Sequence, residues 1–155
     1  MQKITPFLWF DKEAGKAVEF YTSVFKDSKI RDSTTLHNTP SGTVEIITID
    51  LFGQEFTLMS AGPLFKFNEA ISFVVHCDNQ KEIDYYWGKL SADPKAEQCG
   101  WLKDKYGLSW QIVPAALPKM LQDKDARKVA RVTEAFLKMK KFDIKTLKQA
   151  YEGNK

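Results

Sequence analysis

Two histidines, two cysteines and a scatter of carboxylates are the residues of this chain best able to do chemistry. His37 and Glu45 flank a turn-forming stretch, Asn38-Thr39-Pro40-Ser41-Gly42, so a hairpin would set them on facing strands with Glu45 available as a base. The plainer reading makes both of them solvent-facing cross-strand residues. His76 and Cys77 are adjacent, and successive strand residues point to opposite faces, so they cannot form a side-by-side nucleophile and base. Cys77 and Cys99 make no Cys-x-x-Cys pair, which argues against a zinc knuckle or a dithiol redox motif; buried free thiols are expected rather than a disulfide.

The elements that would position these residues follow a repeating order. Residues 4–10 read as a strand that starts at or just after Pro6 or carries that Pro on an edge. Ala14, Ala17, Val18, Tyr21 and Phe25 keep helical spacing over residues 12–25, with Asp11 placed to cap the first free amides. Strands at 30–36 and 44–52 come next, and Gly53 turns the chain into a strand at 55–60. After Ala61-Gly62-Pro63 the order restarts, with a strand at 70–77, a helix at 80–90 and strands around 99–103 and 108–113. One constant offset pairs Val18, Tyr21 and Phe25 with Ile83, Tyr86 and Leu90, and also Thr5 with Ala70, Leu8 with Phe73 and Phe10 with Val75. A second pairs Gly53, Phe56, Thr57 and Leu58 with Gly107, Trp110, Gln111 and Ile112. Agreement in element order, helix and last hairpin together predicts a duplicated β-α-β-β-β unit. Beyond Pro114 the pattern changes: Leu117, Leu121, Val129, Val132, Phe136 and Met139 form an apolar stripe, and Asp143 can cap a last short helix that Gly153 ends.

Several stretches resemble one known group. Ile4-Thr5-Pro6-Phe7-Leu8-Trp9-Phe10, the helical Phe20-Tyr21 pair, Cys99-Gly100-Trp101-Leu102, Ser109-Trp110-Gln111-Ile112-Val113-Pro114 and the tail Lys138-Met139-Lys140-Lys141-Phe142-Asp143-Ile144 are similar to the PhnB-like branch of the vicinal oxygen chelate superfamily, over nearly the whole chain. The resemblance implies an α+β, glyoxalase-like fold: two βαβββ modules forming a cupped sheet, with C-terminal helices, in a single domain over 1–155 (module 1–62, module 68–114, helical tail 115–155). Members of this branch often carry the label demethylubiquinone methyltransferase; no Gly-rich strand-to-helix loop suited to a nucleotide-like cofactor appears in this sequence.

Metal enzymes of the superfamily draw His, Glu or Gln ligands from two strand positions of each module, and the ion polarises vicinal substrate oxygens. On this chain those positions correspond to Thr5, Thr57, Ala70 and Gln111, the same residues that the internal repeat pairs. None is a His or a carboxylate, and neutral Thr and Gln oxygens do not offset the desolvation of a divalent ion, so neither a metal nor any other cofactor is expected. With Thr5 inward, strand alternation puts Phe7 and Trp9 on its face, and Ser72 and Val74 on that of Ala70; the alternative puts Leu8 and Phe10 inward and packs Phe7 and Trp9 under the helix. Cys99 could line the cup beside Trp101, a buried inert thiol being the simpler expectation. Such a cup suits a planar or hydrophobic small molecule. The two functional classes left open are a metal-free binding module and a vicinal oxygen chelate enzyme: a metal-dependent lyase or dioxygenase, or a transferase.

Composition narrows the remaining partners. A chain of 155 residues, 43% hydrophobic and 28% charged, can bury one real core and has no apolar run long enough to span a bilayer. Met1-Gln2-Lys3-Ile4-Thr5-Pro6 lacks the pattern of a secretory signal, so a cytoplasmic location is expected. The net charge of +3 comes mainly from lysines in the last third, which read as a solvated helix face rather than a nucleic-acid surface. A small-molecule ligand and a second copy in a homodimer are the expected partners, with the C-terminal helices either contributing to the dimer interface or covering the cup, and with no membrane and no nucleic acid.

Overall fold

The computed structural model describes residues 2–154, which form two compact units, Met1–Lys66 and Phe67–Lys155. In the first, β1 (Phe7–Phe10), α1 (Ala14–Val24), β2 (Ser28–Thr39), β3 (Gly42–Leu51) and β4 (Gln54–Ser60) build a four-stranded sheet of order β1-β4-β3-β2. β1 runs parallel to β4 and the other pairs are antiparallel. Alternation divides the sheet into two faces. Leu8, Ile47, Ile49, Phe56 and Leu58 are buried on one face together with Ala17, Val18 and Tyr21 of α1. Phe7, Trp9, Ile46, Thr48 and Thr57 lie on the other and keep partial or full exposure. Of the two arrangements open for β1, the structure therefore adopts the first: Leu8 and Phe10 are buried on the α1 side, and Phe7 and Trp9 share the opposite face with Thr57.

Asp11 does not cap α1. The helix begins three residues later, Glu13 in the cap position makes no side-chain cap bond, and the Ala14 N–H donates to Ser60 Oγ at 2.9 Å. The free amide is satisfied by a hydroxyl from the end of β4, a contact across 46 residues that local spacing does not reveal.

The second unit repeats the plan. β5 (Ser72–Cys77), α2 (Gln80–Leu90), β6 (Trp101–Lys103) and β7 (Ser109–Pro114) give a sheet of order β5-β7-β6 with β5 parallel to β7, matching β1-β4-β3. The second aromatic of each helical pair is buried, Tyr21 in α1 and Tyr86 in α2, and each packs on its neighbour, Phe20 at 5.6 Å and Tyr85 at 5.1 Å between ring centroids. The module is one strand shorter than the first, because a 3-10 turn at Pro94–Ala96 stands where the first has β2. Pro94 has no N–H to give a ladder, and Asp93 accepts the Lys95 N–H at 3.0 Å, so the segment turns instead of extending.

The repeat reaches into the last hairpin of each unit through a pair of buried carboxylates, Asp50 and Asp104, set at the same offset as Gly53 and Gly107. Asp50 accepts the Gly53 N–H at 2.7 Å and pairs with Arg31 at 2.8 Å. The Arg31 guanidinium holds its carboxyl below the usual carboxylate range; burial works against this, and the Gly53 N–H reinforces it. Asp104 accepts from the Tyr106 and Leu108 amides and, at 2.9 Å, from Trp110 Nε1. Both glycines adopt positive φ, 80° and 83°, as these tight turns require.

The tail belongs to the second unit and forms α3 (Leu117–Leu121), α4 (Ala126–Leu137) and α5 (Ile144–Glu152). Asp143 caps α5 by accepting the Thr146 N–H at 2.7 Å, and Gly153 ends it at φ 76°, as its sequence predicts. The Gln80 amide clamps the segment before α5 at both ends, with Nε2 donating to Phe142 O at 3.0 Å and Oε1 accepting the Ile144 N–H at 2.9 Å. Cys99 and Gly100 donate their N–H groups to Met139 O and Lys140 O at 2.9 and 2.8 Å. Among the described residues, no helix is long and apolar enough to cross a membrane.

Candidate functional site

On the second sheet, alternation carries Phe73, Val75, Cys77, Leu102, Trp110 and Ile112 on one face, and Ser72, Val74, His76, Trp101, Gln111 and Val113 on the other. The core residues of α2, Ile83, Tyr86 and Leu90, are buried, as are Leu102, Trp110 and Ile112. The opposite face is not bare. Leu117 and Leu121 of α3, Phe136 of α4 and Phe142 join Val74, Trp101, Gln111 and Val113 around a cavity of about 470 Å³. Its floor is a register row, with Val74 opposite Gln111 and Gln111 opposite Trp101. Phe136 and Phe142 meet edge to face at 6.2 Å, and Leu117 and Phe142 are buried, so the tail forms a fixed wall.

Of the nine residues selected from the sequence, Val74, Trp101 and Gln111 come together in this cavity, and Ser72 adjoins it by accepting a hydrogen bond from Gln111 Nε2 at 2.9 Å. Ala70 lies in the turn before β5 and does not line it. Thr5, Phe7, Trp9 and Thr57 belong to the first unit. There Phe7 and Thr57 are register partners, Thr57 Oγ1 lies 3.4 Å from Thr48 Oγ1, and Thr5 precedes β1. Trp9 packs edge-on to Phe65 at 5.0 Å and donates its indole N–H to Gly62 O at 2.8 Å.

The four positions that the resemblance assigns to metal ligands do not suit a divalent ion. The Thr57 hydroxyl is paired with Thr48, the Gln111 amide nitrogen with Ser72, and Ala70 has no ligating side chain. Among the described residues there is also no group of three or more His, Cys, Asp or Glu that could hold a metal ion. None of the cavity-lining residues is an Asp, Glu, Lys or Arg.

Five residues of chemical interest take distinct places. His37 and Glu45 are exposed on the β2–β3 hairpin, His37 with Thr43 and Glu45 with Ser33, which is the plainer of their two readings. His76 lines the cavity, whereas Cys77 is fully buried on the opposite face. Cys99 is a correction: instead of a buried inert thiol it is half-exposed and borders the cavity with Trp101. Its φ of 49° and the bonding of its amide to Met139 place it at the rim, where the tail joins β6. Burial pushes the Cys77 thiol up to about 12, with smaller contributions from Glu82 and Asp78. A thiol reagent at neutral pH is therefore expected to modify one cysteine per native chain, Cys99, and the second only after unfolding. Peptide mapping of labelled protein checks this, and rapid labelling of Cys77 would contradict it.

The wall residues from the tail were not recognisable as site residues from sequence. Leu117, Leu121 and Phe136 read as part of a helical apolar stripe, the ordinary signature of core packing, and Phe142 stands outside it in the segment before Asp143.

Comparison with known proteins adds a family. The profile of the 3-demethylubiquinone-9 3-methyltransferase family matches residues 2–113. The structure of the PhnB protein from Bacillus cereus is 36% identical, covers 74% of this chain and 100% of its own, and superposes with a TM-score of 0.61. FosX, a fosfomycin resistance protein from Mesorhizobium loti, is 10% identical over 79% of this chain and 99% of its own, with a TM-score of 0.55. A mutant FosX from Listeria monocytogenes, solved with Mn(II) and 1S,2S-dihydroxypropylphosphonic acid, gives 14% identity, 79% and 99% coverage and a TM-score of 0.53. No curated protein sequence matches this chain.

Proposed function

Because this chain belongs to the 3-demethylubiquinone-9 3-methyltransferase family, the PhnB-like branch of the vicinal oxygen chelate superfamily, and has its glyoxalase-like α+β fold, we propose that it binds a small hydrophobic or aromatic molecule without a catalytic metal. The carrying observation is the cavity of the second unit, walled by Trp101, Phe136, Phe142 and aliphatic side chains and lined by no Asp, Glu, Lys or Arg. The FosX likeness, below 25% identity, supports the fold and not a phosphonate ligand or a manganese site. Methyl transfer is the weaker reading, since the chain has no Gly-rich strand-to-helix loop for a nucleotide-like cofactor. In the same proposal modules 1–62 and 68–114 and the tail 115–155 are read as one domain, and Thr5, Phe7, Trp9 and Thr57 are candidate ligand-facing residues on the first module's own sheet.

Calorimetric titration with an uncharged bicyclic aromatic such as 2-methoxynaphthalene tests the reading. Binding is expected with and without a chelator, and Val113→Arg, which places a charge in the cavity, should weaken it by roughly tenfold or more. Binding that disappears with the chelator and returns with a divalent metal would overturn it.

A cytoplasmic homodimer is part of the proposal. Val132 is fully buried and Phe136 packs on Phe142, so much of the tail's apolar stripe is engaged within its own chain; Leu137, 55% exposed, is what α4 leaves for a partner. Light scattering at micromolar concentration is expected to give twice the chain mass, reduced by Leu137→Asp. A monomeric wild type would end the dimer proposal.

A further inference from the structure

Gln111 sits at the centre of the cavity floor, yet its amide is not symmetrically engaged. In the ladder Val74 is its partner and Ser72 opposes Ser109, so the Gln111 side chain leans along the sheet to bring Nε2 within 2.9 Å of Ser72 Oγ. Its Oε1 has no hydrogen-bond partner among the described residues. A carboxamide oxygen that borders an apolar wall pays a desolvation cost when a ligand covers it, unless that ligand brings a donor. Of the other polar side chains at the cavity, His76 and Gln122 are exposed to water, and a thiol is a weak hydrogen-bond partner. Cys99 Sγ is approached by Gln98 Nε2 at 3.3 Å, and no lysine or arginine is present to hold an anion.

We propose that the cavity selects uncharged aromatic molecules bearing a hydroxyl or N–H donor, which Gln111 Oε1 accepts, and that Ser72 is a positioning residue that tethers the amide through Nε2 and so leaves Oε1 for the ligand. The ring lies among Trp101, Phe136 and Phe142, and the donor points to the sheet. This selectivity rests on the reading of the cavity as the ligand site. It goes further by discriminating among molecules of the same size: a phenol is preferred to its methyl ether, which leaves Oε1 unpaired, and to a carboxylate, which meets no lysine or arginine. Ser72 does not touch the ring; it acts through the amide alone.

Three matched probes test it: 2-naphthol, 2-methoxynaphthalene and 2-naphthoate, titrated by calorimetry into wild type, Gln111→Leu and Ser72→Ala, with thermal melts to verify folding. Wild type should bind the naphthol about tenfold more tightly than the ether, after allowance for their partition into octanol, and the naphthoate most weakly. In Gln111→Leu, which removes the oxygen that the naphthol pairs and the ether leaves unpaired, the naphthol-to-ether ratio should fall to about one. Ser72→Ala frees the amide to turn, so the naphthol-to-ether ratio should shrink, a change that a merely structural role, weakening both probes alike, would not produce. Equal binding of naphthol and ether by wild type, tightest binding of the naphthoate, or a preference undiminished in Gln111→Leu would overturn the selectivity and leave the cavity reading standing. If none of the three binds, the cavity reading itself fails, and the selectivity with it. The wild-type ratio decides even if a variant does not fold.

Discussion

Asp104→Ala is expected to lower the stability of the second unit by about 3 kcal/mol or more, because it leaves the buried Trp110 indole and Leu108 amide without their acceptor. At this chain length that corresponds to a fall in melting temperature of roughly 10 °C. The equivalent Asp50→Ala in the first unit should cost far less. Gly53, whose N–H it releases, is exposed and can turn to water, and its ion-pair partner Arg31 is 44% exposed, a setting in which salt bridges contribute little. Circular dichroism melts of the two variants decide this. Equal losses would mean that the repeated carboxylate serves the turn alone and that the Trp110 bond adds nothing.

Gly100→Ala should cost both stability and binding. Gly100 has a φ of 82°, and a Cβ there would stand 2.4 Å from Phe142 Cε2 and 3.0 Å from Ile112 O. The left-handed backbone alone costs an L-residue roughly 1–2 kcal/mol. Relief of the clash must push the Phe142 ring away from β7, since Gly100 is tied on both sides, its N–H to Lys140 O and its carbonyl accepting the Ile112 N–H, each at 2.8 Å. Phe142 is a wall of the cavity, so its displacement should weaken aromatic binding at least tenfold, in addition to a destabilisation of about 3 kcal/mol. Gly42→Ala is the control. It has the same φ of 82° but its Cβ would meet nothing within 4 Å, so only the backbone cost applies. Matching behaviour of the two variants would show that Phe142 is not held where the cavity needs it.

These two residues also show what was legible in the sequence. Asp50 and Asp104 share the offset of Gly53 and Gly107, so the repeat that revealed the hairpins could have revealed the carboxylates too. Helix α2 and the two ends of α5 follow from local chemistry, apolar spacing in one case and an Asp cap with a terminal Gly in the other. Local chemistry fails where a distant element supplies the partner. Ser60 replaces Asp11 at the start of α1, and the pairing of Cys99 and Gly100 with Met139 and Lys140 lifts Cys99 to the cavity rim. The same reason explains the partial view of the site. Val74, Trp101 and Gln111 are linked by strand alternation and the repeat, whereas Leu117, Leu121, Phe136 and Phe142 reach the sheet only through the path of the tail.

The most direct test of a metal-free aromatic site on the second sheet is the position of a heavy atom in crystals of the protein grown with a chelator and 6-bromo-2-naphthol. The account predicts an anomalous bromine peak within the cavity bounded by Trp101, Val113, Phe136 and Phe142, with the ring against Trp101. A fully occupied peak elsewhere on the chain, or binding in solution only after a divalent metal is restored, would contradict it.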